Sequence, residues 1–236
     1  LIGLAPWYAG RSSGRAGLGR WLNGSAVYDS SAWLRTSNPL DAATAVAAVR
    51  AIYADRGVIG CIVAPKRPTP CLLTPAQAQA AVDRGAVLLE ADGRAELQLV
   101  AVGAYQLMEA RRAAERLREA GRQVSVASIV EPGRLRAARD EYEARFVLPE
   151  REVEALFPSD IPRILITHTR PEPLLGVLRR LDGGPGRLTA HGYISRGGTL
   201  DAAGMLAVRV DDAALTFVAD LYSPGREAQS PQLARQ

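Results

Sequence analysis

The sequence is short of several residues that would announce a function. Its 236 residues include only two cysteines, Cys61 and Cys71, too few for a disulfide framework or a cysteine-rich metal site. Cys61 lies inside an apolar run and reads as a small buried hydrophobe, so a reducing, cytoplasmic setting is expected. Histidine is equally scarce, with only His168 and His191. Aromatic residues make up 6%, so any core must be built from alanine, valine and leucine. No apolar run approaches 18 residues, which leaves no candidate membrane-spanning helix. Strong charge of one sign is also absent. The net charge is +4, from 29 Lys+Arg against 25 Asp+Glu. The basic residues are nearly all arginine and are scattered, with no stripe interleaved with aromatics, which argues against nucleic acid as a partner. Phosphorylated small molecules suit the same balance.

What is present is 47% hydrophobic residues, enough for one large domain or two unequal pieces. The most informative stretch is apolar from Val58 to Ala64 and ends in Pro65-Lys66-Arg67-Pro68. It reads as a buried parallel strand delivering a stiff, doubly positive corner at its carboxyl end. Open α/β sheets bind ligands outside the carboxyl ends of their strands. Two readings of Lys66 and Arg67 stand side by side, a solvated basic turn and a seat for an anion such as phosphate.

Residues 1–38 are rich in glycine, serine and arginine and read as loops and short turns. They carry Trp7, Trp21 and Trp33, which need something to pack against. Asp41 caps a helix reaching Tyr53. Thr74 caps another, with Pro75 in its first position, reaching Arg84. Ala86–Glu90 reads as a strand. A regular alternation follows: strand Leu97–Val102, helix Tyr105–Ala120, strand Val124–Ile129, helix Pro132–Ala144, helix Glu150–Phe157, strand Ile161–Thr167, helix Pro173–Leu181 and strand Leu188–Ile194. Helices are expected over Leu200–Val208 and Asp212–Leu221, then a frayed tail over 223–236. Arg111, Arg112, Arg116 and Arg118 read as a solvated helix face. Strands alternating with helices imply an α/β fold, a three-layer sandwich around a mainly parallel sheet. A domain boundary is expected near 85–96.

The order of these segments resembles the C-terminal portion of the phosphoketolase family, within the thiamine-diphosphate-dependent transketolase superfamily. Asn38-Pro39-Leu40-Asp41-Ala42 resembles that family's P-P-D-A-N helix start. Ile62-Val63-Ala64-Pro65-Lys66-Arg67-Pro68 resembles its I-V-A-G-K-Q-P segment, and Leu72-Leu73-Thr74 its W-L-T. His191-Gly192-Tyr193-Ile194-Ser195-Arg196-Gly197-Gly198-Thr199 resembles its R-G-Y-K-E-E-G-T-T. Weaker echoes are Phe157 to Pro162, similar to L-F-T-x-D-K-P, and His168, which falls on the histidine of F-H-G-Y-P.

The resemblance implies that residues 1–90 are the end of a pyrimidine-binding-type domain whose beginning lies before Leu1. Residues 97–222 would be a transketolase-type C-terminal domain. It implies cleavage of a ketose phosphate by thiamine diphosphate with Mg2+, and a substrate-phosphate contact from Lys66 with Arg67 beside it. His168, His191 and Thr199 become candidates for an interface or active-site loop. The bland readings of His168 as structural and of Thr199 as a helix cap stay open.

The departures are equally specific. No G-D-G motif for the metal and diphosphate occurs; Leu181-Asp182-Gly183-Gly184 follows a helix and reads as its stop. The family's S-H-Q-x-P loop should fall between Ala5 and Trp33, which hold no histidine. Pro65 replaces glycine, Arg67 replaces glutamine and His191 replaces arginine. No catalytic residue is assigned. The chain is therefore expected to act as one chain of a split thiamine-diphosphate-dependent carbon–carbon lyase or transferase. The cofactor would be held in the assembled enzyme by a second chain carrying the diphosphate-binding domain, in a dimer of such pairs. The alternative is a non-catalytic, phosphoketolase-like scaffold subunit.

Overall fold

In the computed structural model, the described residues are 3–4, 34–55, 59–65, 68–167, 169 and 171–192. Local sequence signals set most element ends. Helix α1, Ala42–Ala54, starts at Asp41, whose side chain accepts from Thr44 N in a reciprocal capping box. Helix α2, Pro75–Arg84, starts at Thr74 with Gln77 as the reciprocal partner, and closes at Gly85 in the left-handed conformation.

Two sheets result. The first contains β1 (Gly3–Leu4), β2 (Leu34–Ser37) and β3 (Ile59–Ile62) in the order β1-β3-β2, all parallel. The second contains β4 (Ala86–Glu90), β5 (Leu97–Val102), β6 (Val124–Ile129), β7 (Arg163–Thr167) and β8 (Leu188–His191) in the order β4-β6-β5-β7-β8. It is parallel except for β4, which runs antiparallel to β6 at one edge. Residues 86–90, placed by the sequence reading with the first part of the chain, thus pair into the second sheet.

Period-two alternation fills both faces of this sheet. Leu97, Leu99 and Ala101 of β5 enter one core with α1, α2 and α3 (Ala104–Glu119). Val100 and Val102 enter the other, with Leu135, Leu148, α5 (Glu150–Leu156) and α6 (Pro171–Val177). Between α3 and α5 lies the short α4 (Glu141–Ala144). The fold is a three-layer α/β sandwich, as the alternation implied. Helix α1 serves both sheets. Its Ala47 and Ala48 join the first core, while Ile52 lies over β3, where a Cβ on Gly60 would overlap it. No helix among the described residues is long and apolar enough to cross a membrane.

The structure corrects several expectations. Leu34–Ser37 is a strand, not a loop; its residues Arg35, Thr36 and Ser37 are buried yet polar, so no hydrophobic alternation marks it. The helix expected over Pro132–Ala144 is a 3₁₀ turn, Pro132–Leu135, then extended chain at Arg136, then α4. Asp140 starts α4 by accepting from Glu143 N, and Leu148 N donates to Arg134 O at 2.6 Å, which pulls the chain out of one continuous helix. The helix expected over Pro173–Leu181 stops at Val177 and gives way to a 3₁₀ turn, Arg179–Leu181. Arg111 and Arg118 do not merely face water. Both donate to the Glu90 carboxylate on β4, at 2.7 and 2.6 Å. Burial works against ionisation of Glu90, and those two guanidinium groups still hold its pKa below the ordinary value.

A charged contact joins the sheets. Arg35 of β2 donates from Nη2 to Glu131 Oε2 at 2.8 Å and from Nε to Oε1 at 3.0 Å, just past β6. Its Nη1 reaches Asp55 Oδ2 at 2.8 Å, at the end of α1. The Arg35 and Glu131 side chains are only 8% and 6% exposed. Asn38 N adds a backbone bond to Val130 O at 2.6 Å. Removing one partner of a buried pair strands the other charge. Arg35→Met is expected to cost about 3–5 kcal/mol in urea unfolding. Arg35→Met with Glu131→Leu should recover much of that loss, and a double variant as unstable as the single would contradict the pairing.

Candidate functional site

The second sheet and the first present their carboxyl ends to a common seam. The chain leaves β3 through Val63, Ala64 and Pro65, and these residues line a crevice with Gly103, Ala104, Tyr105 and Gln106 at the start of α3. Gly103 has φ 110° and no side chain caps the helix there. Immediately after, Thr69, Pro70 and Leu72 line a groove of about 250 Å³ with Leu40, Ala104, Met108, Arg111, Arg112 and Glu115. Ala104 belongs to both depressions. The described arms on either side of residues 66–67 therefore both border depressions lined by α3.

Lys66, Arg67, His168 and Thr199 themselves lie outside the described residues, as do the three tryptophans, the helices expected after residue 200 and the tail over 223–236. His191 is described. It ends β8, in register with Ile166 of β7, and is half-buried. Burial pushes its imidazole pKa down, so it is neutral at neutral pH. The chain passes close to the end of β7 at the next residue, where a Cβ on Gly192 would overlap Thr169 O. Thr167 Oγ1 and Thr169 Oγ1 lie 3.1 Å apart. The ends of β7 and β8 are thus brought together, two and three strand positions from β6. Cys61 is buried in β3, as expected, with its thiol pKa raised by desolvation.

Asp41 does more than cap. Its Oδ1 accepts from Thr44 N and Thr44 Oγ1, both at 2.8 Å. Its Oδ2 accepts from Leu72 N at 2.8 Å and Leu73 N at 3.0 Å. Burial would raise its pKa, and those donors together hold it below the ordinary carboxylate value. The sequence pointed only to the cap, because a bond to a residue 31 positions on leaves no local pattern.

The same applies to the Arg35–Glu131 pair, separated by 96 residues. The sequence also missed Ser37 and Asn38. Both are fully buried at the end of β2, and Ser37 Oγ, Asn38 Oδ1 and Asn38 Nδ2 have no hydrogen-bond partner among the described residues.

Thiamine diphosphate with Mg2+ needs a set of oxygen ligands. Among the described residues no group of three or more His, Cys, Asp or Glu side chains could hold a metal ion. The two buried carboxylates of the seam, Asp41 and Glu131, are committed to Thr44, Leu72 and Leu73 and to Arg35. The described residues do not fit the metal–diphosphate group.

Comparison with solved structures gives the fold its place. The chain superposes on a transketolase from Leishmania mexicana with a TM-score of 0.61 and 16% identity, covering 86% of this chain and 28% of that one. The fold is that of transketolases. A second match is the Pichia stipitis transketolase in complex with sedoheptulose 7-phosphate, at TM-score 0.58 and 15% identity, covering 82% and 27%. A third is a split-gene transketolase described as an inactive β4 tetramer, at TM-score 0.52 and 17% identity, covering 79% and 58%. The chain spans little more than a quarter of the full-length transketolases and more than half of the split-gene chain. No family model and no curated protein matches the sequence.

The orphaned Ser37 hydroxyl yields a direct expectation. A buried, unbonded polar group costs about 1–3 kcal/mol. Ser37→Ala should leave stability unchanged or raise the thermal midpoint, measured by calorimetry. A clear loss of stability would mean that the hydroxyl has a partner in the folded protein.

Proposed function

We propose that the protein is one chain of a transketolase-type, thiamine-diphosphate-dependent enzyme that acts on a ketose phosphate. Its phosphoketolase-like motifs give the finer reading, in which the ketose phosphate is cleaved with inorganic phosphate. On this reading residues 1–90, less the β4 strand that pairs into the second sheet, complete a pyrimidine-binding-type domain, and residues 97–222 with β4 are a C-terminal-type domain. The cofactor's metal and diphosphate are held by a partner chain.

The observation that carries the reading is the transketolase fold combined with the seating of the arms that flank Lys66. Val63–Pro65 and Thr69–Leu72 rest at the carboxyl-end seam, against the uncapped start of α3. A lysine carried there is a compact cation on a flexible stem, suited to a phosphate dianion. Lys66 is also the only lysine in the sequence, so lysine-directed acylation mapped to these residues reports on it.

The need for a partner has its own support. Helix α1 leaves Val46, Val49 and Tyr53 exposed at 52%, 37% and 72%, on one face at helical spacing. Ile59, at the start of β3, is exposed at 42%. The split-gene neighbour is itself a chain that assembles into a tetramer.

Three measurements test the proposal. In the complex with its partner chain, Lys66→Ala should raise KM for fructose 6-phosphate about 10- to 100-fold, the worth of one charge-assisted hydrogen bond, with kcat changed little. The ketose phosphate should protect Lys66 from acylation. An unchanged KM removes Lys66 from the site, and association without turnover supports the scaffold alternative. Separately, Tyr53→Asp should weaken association with the co-purifying chain at least tenfold, about the loss of one aromatic anchor, in analytical ultracentrifugation. Unchanged association would release this face from the interface.

A further inference from the structure

An N-cap needs one oxygen. Serine fills the position as well as aspartate does. In this protein Oδ1 of Asp41 meets the whole requirement of α1, through Thr44 N and Thr44 Oγ1. Oδ2 is spent on something else, the consecutive amides of Leu72 and Leu73. Those amides lie on the arm that returns from residues 66–67 toward α2, and they precede the Thr74 cap.

The outgoing arm is held at the same place. Ile62 is in register with Ser37, and Val63 N donates to Ser37 O at 2.9 Å. One short peptide, residues 37–41, therefore grips both arms: Ser37 holds the exit from β3 and Asp41 holds the return. Closing a loop at its base removes conformations that binding would otherwise have to freeze out.

We propose that Asp41 is a positioning residue for the phosphate seat, fixing the return arm of the Lys66 loop through Leu72 N and Leu73 N and so setting affinity for the ketose phosphate. The inference rests on the reading of Lys66 as the phosphate contact. The two functions of Asp41 separate chemically. Asp41→Ser keeps a cap for α1 and is too short to reach residues 72 and 73. Thr44→Ala weakens the cap, since Thr44 Oγ1 also accepts from Leu40 N and Asp41 N, and leaves Oδ2 on the return arm.

The test titrates fructose 6-phosphate calorimetrically into the full chain with its co-purifying partner, and follows amide exchange at Leu72 and Leu73. Asp41→Ser should weaken binding about tenfold or more, speed exchange at both amides and leave the thermal midpoint close to that of the parent. Asp41→Asn, which keeps size but not the second acceptor, should behave similarly. Thr44→Ala should lower the thermal midpoint with binding unchanged. Binding by Asp41→Ser equal to the parent overturns the proposal while leaving Lys66 in place. Equal weakening by Thr44→Ala overturns it too, because the effect would then be general loosening. If the parent binds no fructose 6-phosphate, or Lys66→Ala binds as well as the parent, the phosphate-seat reading fails and takes this role of Asp41 with it.

Discussion

A buried charged fork between two sheets is the contact on which the seam depends. The helices that the sheets share are packed mainly through alanines, with Ala47, Ala48, Ala78 and Ala81 all in one core. Small, smooth side chains hold helices close but do little to fix register along the interface. The Arg35 guanidinium does, because a bidentate fork donates to the Glu131 carboxylate in one geometry only. Burial alone would lower the pKa of Arg35, and Glu131 and Asp55 more than compensate, so the guanidinium is charged throughout. The Asn38 amide on Val130 O locks the same alignment three residues further along β2. With that register set, the carboxyl ends of β2, β3, β5 and β6 meet at one place.

That convergence gives a short polar peptide an unusual concentration of tasks. Residues 35–41 join the sheets, pair with β3, start α1 and hold the arm returning from residue 67. Each task needs a polar group buried and bonded, and the groups left over, on Ser37 and Asn38, are among the buried polar atoms without a partner among the described residues. Such a segment cannot be judged by hydrophobicity. Its stability comes from partners distant in sequence, which also makes it the place where one substitution changes several things at once.

The same property explains what the sequence disclosed and what it withheld. Strands β5 and β6 were legible to the residue because both are mainly apolar and buried on two faces, interrupted only by Gln98, Ser125 and Ser128. Helices α1 and α2 were legible because Asp41, Thr44, Thr74, Pro75 and Gln77 act within four residues of one another. Strand β2 was not, since Arg35 looks like a surface residue until Glu131 is placed beside it. The break between Pro132 and Glu141 was hidden for a similar reason. A charged, helix-prone stretch is divided by bonds from Leu148 and by the Asp140 cap, and only the first of these is long-range. Of the candidate site, the strand and its exit were readable; the grip that residues 37–41 exert on the return arm was not.

The division of labour between the basic residues bears on the function. At several described positions arginine ties distant parts of the chain together. Arg35 joins the sheets, Arg111 and Arg118 clasp Glu90, and Arg163 ties Leu181 O and Pro158 O at the base of β7. These are structural duties, and a planar guanidinium with fixed donors suits them. A sequence so committed to arginine has no structural need for a lysine. The lone exception stands between two proline-flanked arms that converge on an uncapped helix start. On the proposed reading of Lys66, a compact point charge on a flexible stem suits a phosphate that comes and goes better than a planar fork does.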